Sequence, residues 1–527
     1  IKTIQTQAYG EVKEIKNIFK TVAYVTAFSF AERFLGFIYR IFLSRKLGAE
    51  GLGIYQISLS VLGLFMTITS SGIPITVSRL ITITRAETGK NVTSEAVTAG
   101  ILLTITIAAP LTLLSLFDNG VLNLLFSDDR CKIILRIMIP GLIFTSVYAV
   151  LRGSFWGNSR FLTYSVIEFA EEFVMTVVGV ILVNLTTDMM TGVKFAGVAV
   201  LVSYLFSFTT ASIAFLIRGG RIKKPKSQLK PLIVSSVPVT SMRTATSLIS
   251  TLIAVLLPAR LIYYGMGSSA AIGEFGKIFG MAFPLVSMPS TIIGSLAVVL
   301  VPELSSNYYS AKYATLKNNV EKAIKFSVFA ACLIIPVFLS LGREIGVFLY
   351  DDEIAGSYVV KAAAMTLPLS ITIISTSMLN SLNKEKTTLL FYLSGASLML
   401  LCIYFLPKYL GVNSLIAGMA ISYVVSSVAN VILLYKVSPV KPKILAYISV
   451  SCLFIIPSTL LGLLAKNLLF ARLPHAVALI VCVVAVGLFQ LGLFYVFGMT
   501  DFKAEHHKYG RNPLTENRSG KNTKIKA

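Results

Sequence analysis

A chain of 527 residues that is 55% hydrophobic and only 13% charged has too few ionisable side chains to solvate a globule of its size, which excludes a soluble protein. Its 47 Lys and Arg against 24 Asp and Glu leave a formal net charge of +23 at pH 7. The basic residues cluster between apolar runs, so the charge points to an anionic membrane surface and not to nucleic acid.

Apolar runs of about 18 residues or more, separated by charged or turn-forming breaks, predict an all-α polytopic membrane protein with about fourteen transmembrane helices. Residues 1–17, of mixed charge, form a cytoplasmic N-terminal segment. Spans 1 to 6 follow near 18–43, 53–83, 95–117, 133–151, 162–185 and 195–217 and make an N-lobe over 18–217. A basic cytoplasmic linker fills 218–230, opening Arg218-Gly219-Gly220-Arg221-Ile222-Lys223-Lys224, a composition that suits a stop-transfer flank held by anionic lipid. Spans 7 to 12 near 231–264, 272–300, 319–341, 357–380, 387–406 and 411–435 make a C-lobe over 231–435. Two further spans lie in 443–498, and 499–527 is a polar, basic cytoplasmic tail expected to be disordered. With this arrangement about 31 Lys and Arg fall on the side of both termini and about 12 on the other, which puts the termini in the cytoplasm. The first apolar stretch is long and holds Glu32, Arg33 and Arg40, so it reads as a retained span and not as a cleaved signal.

The two lobes repeat one pattern about 226 residues apart. Pro110, Gly120, the turn Phe126-Ser127-Asp128-Asp129, Pro140 and Ser154 recur in order as Pro336, Gly346, Tyr350-Asp351-Asp352, Pro368 and Ser381. Apolar composition alone would not place prolines and acidic turns in register, so the core is duplicated and a site is expected between its halves.

No G-x-x-x-x-G-K-[ST] phosphate loop is present, so ATP hydrolysis by this chain is not expected. Cys131, Cys332, Cys402, Cys452 and Cys482 are isolated and mostly intramembrane, which suits packing. With His475, His506 and His507 the only histidines, neither a metal site, a catalytic relay nor a cofactor is expected, and the chain does not read as an enzyme.

Charge inside the spans is therefore the informative chemistry. Arg33, Gly36 and Arg40 share one face of span 1, with the glycine leaving room beside the guanidinium groups. Arg243 lies about 18 Å into span 7 and Arg260 near its far end. As spans 1 and 7 open the two repeats, the four arginines are expected to confront each other and receive a polyanion, since the planar fork of Arg matches phosphate oxygens. The alternative is structural pairing with Glu168, Glu171 and Glu172, which share a face of span 5 and offer either counter-charge or a proton- or sodium-coupling group. Gly72 and Pro74 in span 2 and Pro284 and Pro289 in span 8 interrupt corresponding helices, as hinges of alternating access or as static kinks.

The segments Phe34-Leu35-Gly36-Phe37-Ile38-Tyr39-Arg40, Leu47-Gly48-Ala49-Glu50-Gly51-Leu52-Gly53-Ile54-Tyr55, Gly72-Ile73-Pro74-Ile75-Thr76-Val77-Ser78-Arg79-Leu80, Leu257-Pro258-Ala259-Arg260-Leu261 and Phe279-Gly280-Met281-Ala282-Phe283-Pro284-Leu285 resemble the stage V sporulation protein B family, over nearly the whole chain. The resemblance implies a V-shaped bundle of the multidrug/oligosaccharidyl-lipid/polysaccharide (MOP) superfamily, as in MviN-like lipid II flippases, whose first-helix cavity arginines Arg33 and Arg40 match. It also implies a bacterial cell membrane and peptidoglycan or polysaccharide precursors for spore cortex. Together these readings predict a flippase for an undecaprenyl-diphosphate-linked saccharide, with membrane lipids and cell-wall synthesis enzymes as partners. A drug or cation antiporter of the multidrug and toxin extrusion type, or a non-transporting scaffold, are the alternatives.

Overall fold

In the computed structural model, which describes residues 2–117, 119–225, 228–437 and 444–497, every regular element among those residues is helical. Lipid offers no partner to a backbone N–H, and a helix satisfies each one within its own segment. The first half comprises α1 (Lys2–Ser70), α2 (Ile73–Thr88), α3 (Thr93–Phe117), α4 (Asn119–Leu125), α5 (Asp129–Met138), α6 (Gly141–Gly157), α7 (Phe161–Asn184) and α8 (Met189–Ile217). The second comprises α9 (Leu229–Tyr263), α10 (Ser268–Phe275), a π-helical segment (Gly276–Ala282), α11 (Phe283–Val286), α12 (Met288–Tyr309), α13 (Tyr313–Tyr350), α14 (Glu353–Ala362), a 3₁₀ turn (Ala363–Met365), α15 (Thr366–Ser381), α16 (Glu385–Phe405), α17 (Pro407–Leu410) and α18 (Asn413–Val437). Then come α19 (Ile444–Leu469) and α20 (His475–Val496), while the tail expected over 499–527 lies outside the described residues.

Among the described residues eleven helices are long and apolar enough to cross a membrane, or twelve with the bent pair α5–α6, fewer than the fourteen expected. Two features lower the number. Tyr24–Thr88 counts as one stretch, although Gly48, at φ 68° and ψ −177°, breaks α1 in two. In addition, α7 carries three carboxylates along its length. Spans 2 and 4 are interrupted, the first at the Gly72 and Pro74 positions marked in the sequence and the second where the sequence reading ran it straight. Span 2 divides between Ser70 and Ile73, because Pro74 in the first turn of α2 has no amide to continue the ladder. Span 4 bends by 47° where Pro140 precedes α6. The repeat survives in the details: Asp128 and Asp352, both extended, cap α5 and α14 by accepting from Arg130 N (2.9 Å) and Ala355 N (2.8 Å).

Three buried clusters define the shape. One, with Ile73, Val97 and Leu151, lies in the first half and takes in Leu232 from the start of α9, and a second, with Ile293, Ile324 and Leu434, lies in the second half and extends to Phe454 and Phe494 of α19 and α20. The third joins both, drawing Leu43 and Leu52 from α1, Leu135 from α5, Phe275 from α10 and Leu341 from α13. The halves therefore share their largest core around the Gly48 end and keep mostly separate cores elsewhere, with the start of α9 packed into that of the first half, the V expected of the fold. Backbone meets backbone at the fused end: a methyl group on Gly276 would stand 3.1 Å from Gly53 Cα. A polar clasp rims the same contact. Arg130 bridges Glu50 (2.5 Å) and Asp128 (2.9 Å), and Ser268 Oγ of α10 donates to Asp128 (2.7 Å). Arg45 donates to the carbonyls of Leu349 (2.8 Å) and Phe348 at the end of α13.

Burial opposes ionisation of Asp128, but hydrogen bonds from Arg130 and Ser268 outweigh it and hold the carboxyl below its ordinary range. A folded-state value below the unfolded one gives stability that is present above the ordinary carboxylate range and lost as pH falls through the folded value. Acidification should therefore lower the melting temperature of the wild type more steeply than that of Asp128→Asn, which starts lower at neutral pH. Parallel melting profiles for the two proteins between neutral and acidic pH would show that the clasp carries no such stability.

Candidate functional site

The helix rise places Arg40 about 12 Å and Arg33 about 22 Å from the Gly48 break, so both arginines lie away from the fused end. There they line a cavity of about 470 Å³ between the two halves, with Glu32, Gly36, Phe37 and Glu172 on the first-half side and Pro284, Ser287, Met288 and Thr291 on the other. The opposite wall comes from the broken span 8. The π-helical segment widens the turn before α11, and Ser287 separates α11 from α12, with Pro284 and Pro289 each in the first turn after a break. Gly72 and Pro74 mark the matching break in the first half. A methyl group on Gly72 would stand 2.7 Å from Ser236 O of α9, and one on Gly153 of α6 would stand 2.6 Å from Pro74 O, so only glycine permits either approach.

The charges of the cavity are uncommitted. Among the described residues Arg33, Arg40, Glu32 and Glu172 make no ion pair, and the two arginines are exposed to the cavity. Gly36 leaves room for the carboxylate more than for the guanidinium groups, as a methyl group there would stand 2.7 Å from Glu172 Oε1. Glu168 is different: Arg152 of α6 donates to it at 2.7 Å and lies 5.3 Å from the Trp156 ring. Glu171 turns toward Ser207 on α8.

Of the four arginines expected to confront each other, Arg33 and Arg40 line this cavity. Arg243 is exposed on α9 and outside the cavity lining. Arg260 is held in the last turn of α9 by Tyr404 O (3.1 Å) and Tyr264 Oη (2.9 Å), with the rings of Tyr404 and Tyr263 at 4.1 and 4.6 Å. The partner of α1 across the cavity is α11–α12, because the breaks in span 8 swing that segment inward. Glu32 and Arg152 escaped the sequence reading as site residues; an ionisable group inside a span is the signal that finds Glu32, while Arg152 lies just past the end of span 4.

Two halves of repeated helices, fused at one end and facing a charged cavity at the other, have the architecture of MOP-superfamily transporters. The fold superposes on a solved lipid II flippase MurJ in an inward closed conformation with a TM-score of 0.68 and 15% identity, over 90% of this chain and 99% of that one. On an inward-facing multidrug resistance MATE family transporter of the MOP superfamily the TM-score is 0.64 at 13% identity, over 79% and 95%. The chain belongs to the polysaccharide biosynthesis protein family, whose sequence profile matches residues 18–308. Stage V sporulation protein B of Bacillus subtilis (strain 168) is 23% identical over 431 residues, 79% of this chain and 83% of that protein, in line with the motif resemblance.

The Arg152–Glu168 pair generates its own expectation. Arg152→Met strands a carboxylate inside the bundle and should cost about 1–3 kcal/mol, less than a fully buried pair because both groups retain some access to water. Adding Glu168→Gln should restore most of the melting temperature. A double variant no more stable than Arg152→Met alone would remove the pairing from the account.

Proposed function

We propose that the protein carries an undecaprenyl-diphosphate-linked saccharide, a peptidoglycan or polysaccharide precursor, across the bacterial cell membrane by alternating access. The observation that supports this most directly is the pair of guanidinium groups, Arg33 and Arg40, that line the cavity without an ion-pair partner among the described residues. Groups of this kind are costly in a membrane protein unless a ligand or water meets them, and their planar forks suit a diphosphate. A cavity of about 470 Å³ has room for a diphosphate and a sugar but not for a polyprenyl chain, whose tail stays in lipid. Glu172, opposite Gly36, is the counter-charge that holds the cavity near neutrality and yields its place to phosphate. The breaks at Gly72–Pro74 and at Pro284–Pro289 are the hinges, and the basic linker side is cytoplasmic by its charge. The name of one similar structure, a lipid II flippase, agrees with this substrate class.

A drug or cation antiporter is the second reading, and Glu32 and Glu172 in the cavity wall favour it. The arginines separate the two. Removing one charge-assisted hydrogen bond should cost about 1.5–3 kcal/mol, or roughly tenfold to hundredfold in affinity for a lipid diphosphate. In vesicles loaded with a fluorescent lipid-linked saccharide, Arg40→Ala and Arg33→Ala should therefore lose translocation while still folding, with Arg40→Lys intermediate. If the double Arg33→Ala, Arg40→Ala protein translocates normally, the diphosphate site is wrong and the antiporter reading leads.

A further inference from the structure

A second polar pocket, of about 90 Å³, lies where the turn between α6 and α7 meets the end of α8 and the residues before α3. Arg160 and Arg218 line it together with Asn91, Thr93, Ser94 and Asn158, and no carboxylate does. Neither arginine has an ion pair among the described residues, and Arg218 lies 5.8 Å from the Phe155 ring, a contact that orients the guanidinium without consuming its donors. The neutral groups are poised to donate. Asn91 Oδ1 accepts from Thr93 N (3.1 Å), Thr93 Oγ1 from Asn158 Nδ2 (3.3 Å) and Ser94 Oγ from Arg221 N (3.2 Å), which leaves the Asn91 amide and both hydroxyl protons uncommitted among the described residues. The linker is tied down beside them, as Lys223 N also donates to Thr98 Oγ1 (3.1 Å).

From this geometry we infer that the pocket binds a phosphate group. Two cationic forks and three neutral donors around a small space match a tetrahedral oxyanion, and the lack of an acidic wall residue rejects a cation. Such a ligand would bridge Arg160 on the α6–α7 turn to Arg218 at the start of the linker and so lock the linker onto the first half. The same chemistry comes from a lipid headgroup at the membrane surface or from free phosphate, and the pocket lies outside the transport cavity.

Melting temperature in nanodiscs tests both sources. Inorganic phosphate is titrated into discs of phosphatidylcholine, and discs made with phosphatidylglycerol are compared without added phosphate. The wild type should be stabilised by at least one of the two; a rise only with phosphatidylglycerol assigns a headgroup, and a rise only with inorganic phosphate assigns the free ion. Arg160→Gln with Arg218→Gln should lose the rise or raise the half-saturating concentration about tenfold. Arg221→Gln with Lys223→Gln removes the same charge from the linker but lines no part of the pocket, and should keep it. No stabilisation from either source, or an equal loss in the linker variant, overturns the site and leaves only general attraction to basic charge.

Discussion

A charge inside hydrocarbon must be paired, wrapped in donors and rings, or opened to water, and this requirement organises the chain. Arg152 takes the first course with Glu168, as does Lys466 of α19 with Glu344 of α13. Arg260 takes the second, sharing its protons between a carbonyl and a tyrosine under aromatic rings. Glu32, Arg33, Arg40 and Glu172 take the third, and the space they open onto is the interlobe cavity. Charges already committed to one another have nothing left for a ligand, so the same rule that builds the bundle also selects where a ligand can bind.

Why the cavity lies on one side of the bundle follows from the small residues. Gly53 and Gly276 allow α1 and the π-helical segment to touch along their backbones, and the joint core grows from that contact. At the other end the joint packing narrows to the start of α9, whose Leu232 enters the core of the first half, and the remaining helices bury their apolar faces within their own half. Widening the turn at Gly276–Ala282 and breaking the chain at Ser287 then turn Pro284 and Met288 toward α1. A straight span 8 would keep those side chains in line with the rest of its helix and leave Arg33 and Arg40 without a facing wall.

Much of this was legible in the chain because it rests on local rules. Prolines mark the breaks, and the capping aspartates keep the repeat in register at Asp128 and Asp352. The i, i+3, i+7 spacing puts Arg33, Gly36 and Arg40 on one face, and all three line the cavity. The rest depends on which helices become neighbours. Symmetry between spans 1 and 7 suggested that Arg243 and Arg260 would face Arg33, yet Arg243 is outside the cavity lining and Arg260, at the far end of α9, is held against Tyr404 of α16. The partner of Glu168 was equally hidden, since Arg152 reads as a helix-end residue until the bend at Pro140 carries α6 against α7. The number of spans differs for a more local reason: the stretch broken at Gly48 counts once where the apolar runs gave two, and α7, which they gave as span 5, carries three glutamates.

The alternating access proposed above requires the fused end to open, and the strength of its polar clasp bears on that step. The Arg130–Glu50 pair keeps 29% exposure on both side chains, and a half-solvated ion pair contributes at most about 1 kcal/mol. Hydrogen bonds such as those from Arg45 to the end of α13 and from Ser268 to Asp128 add about 0.5–1.5 kcal/mol each, somewhat more where a charge takes part. The clasp is therefore worth a few kcal/mol, comparable with the roughly 5.5 kcal/mol that moves a two-state equilibrium from 1:99 to 99:1. Under the proposed reading, two to four charge-assisted hydrogen bonds between a ligand and the cavity arginines would supply a free energy of that size, provided that they form better in one state than in the other. A clasp built from buried ion pairs, or a continuous apolar core along the whole interface, would place reversal beyond the reach of any ligand. The polar rim adds little to the cost of opening, which the joint apolar core around the glycine contact mostly sets.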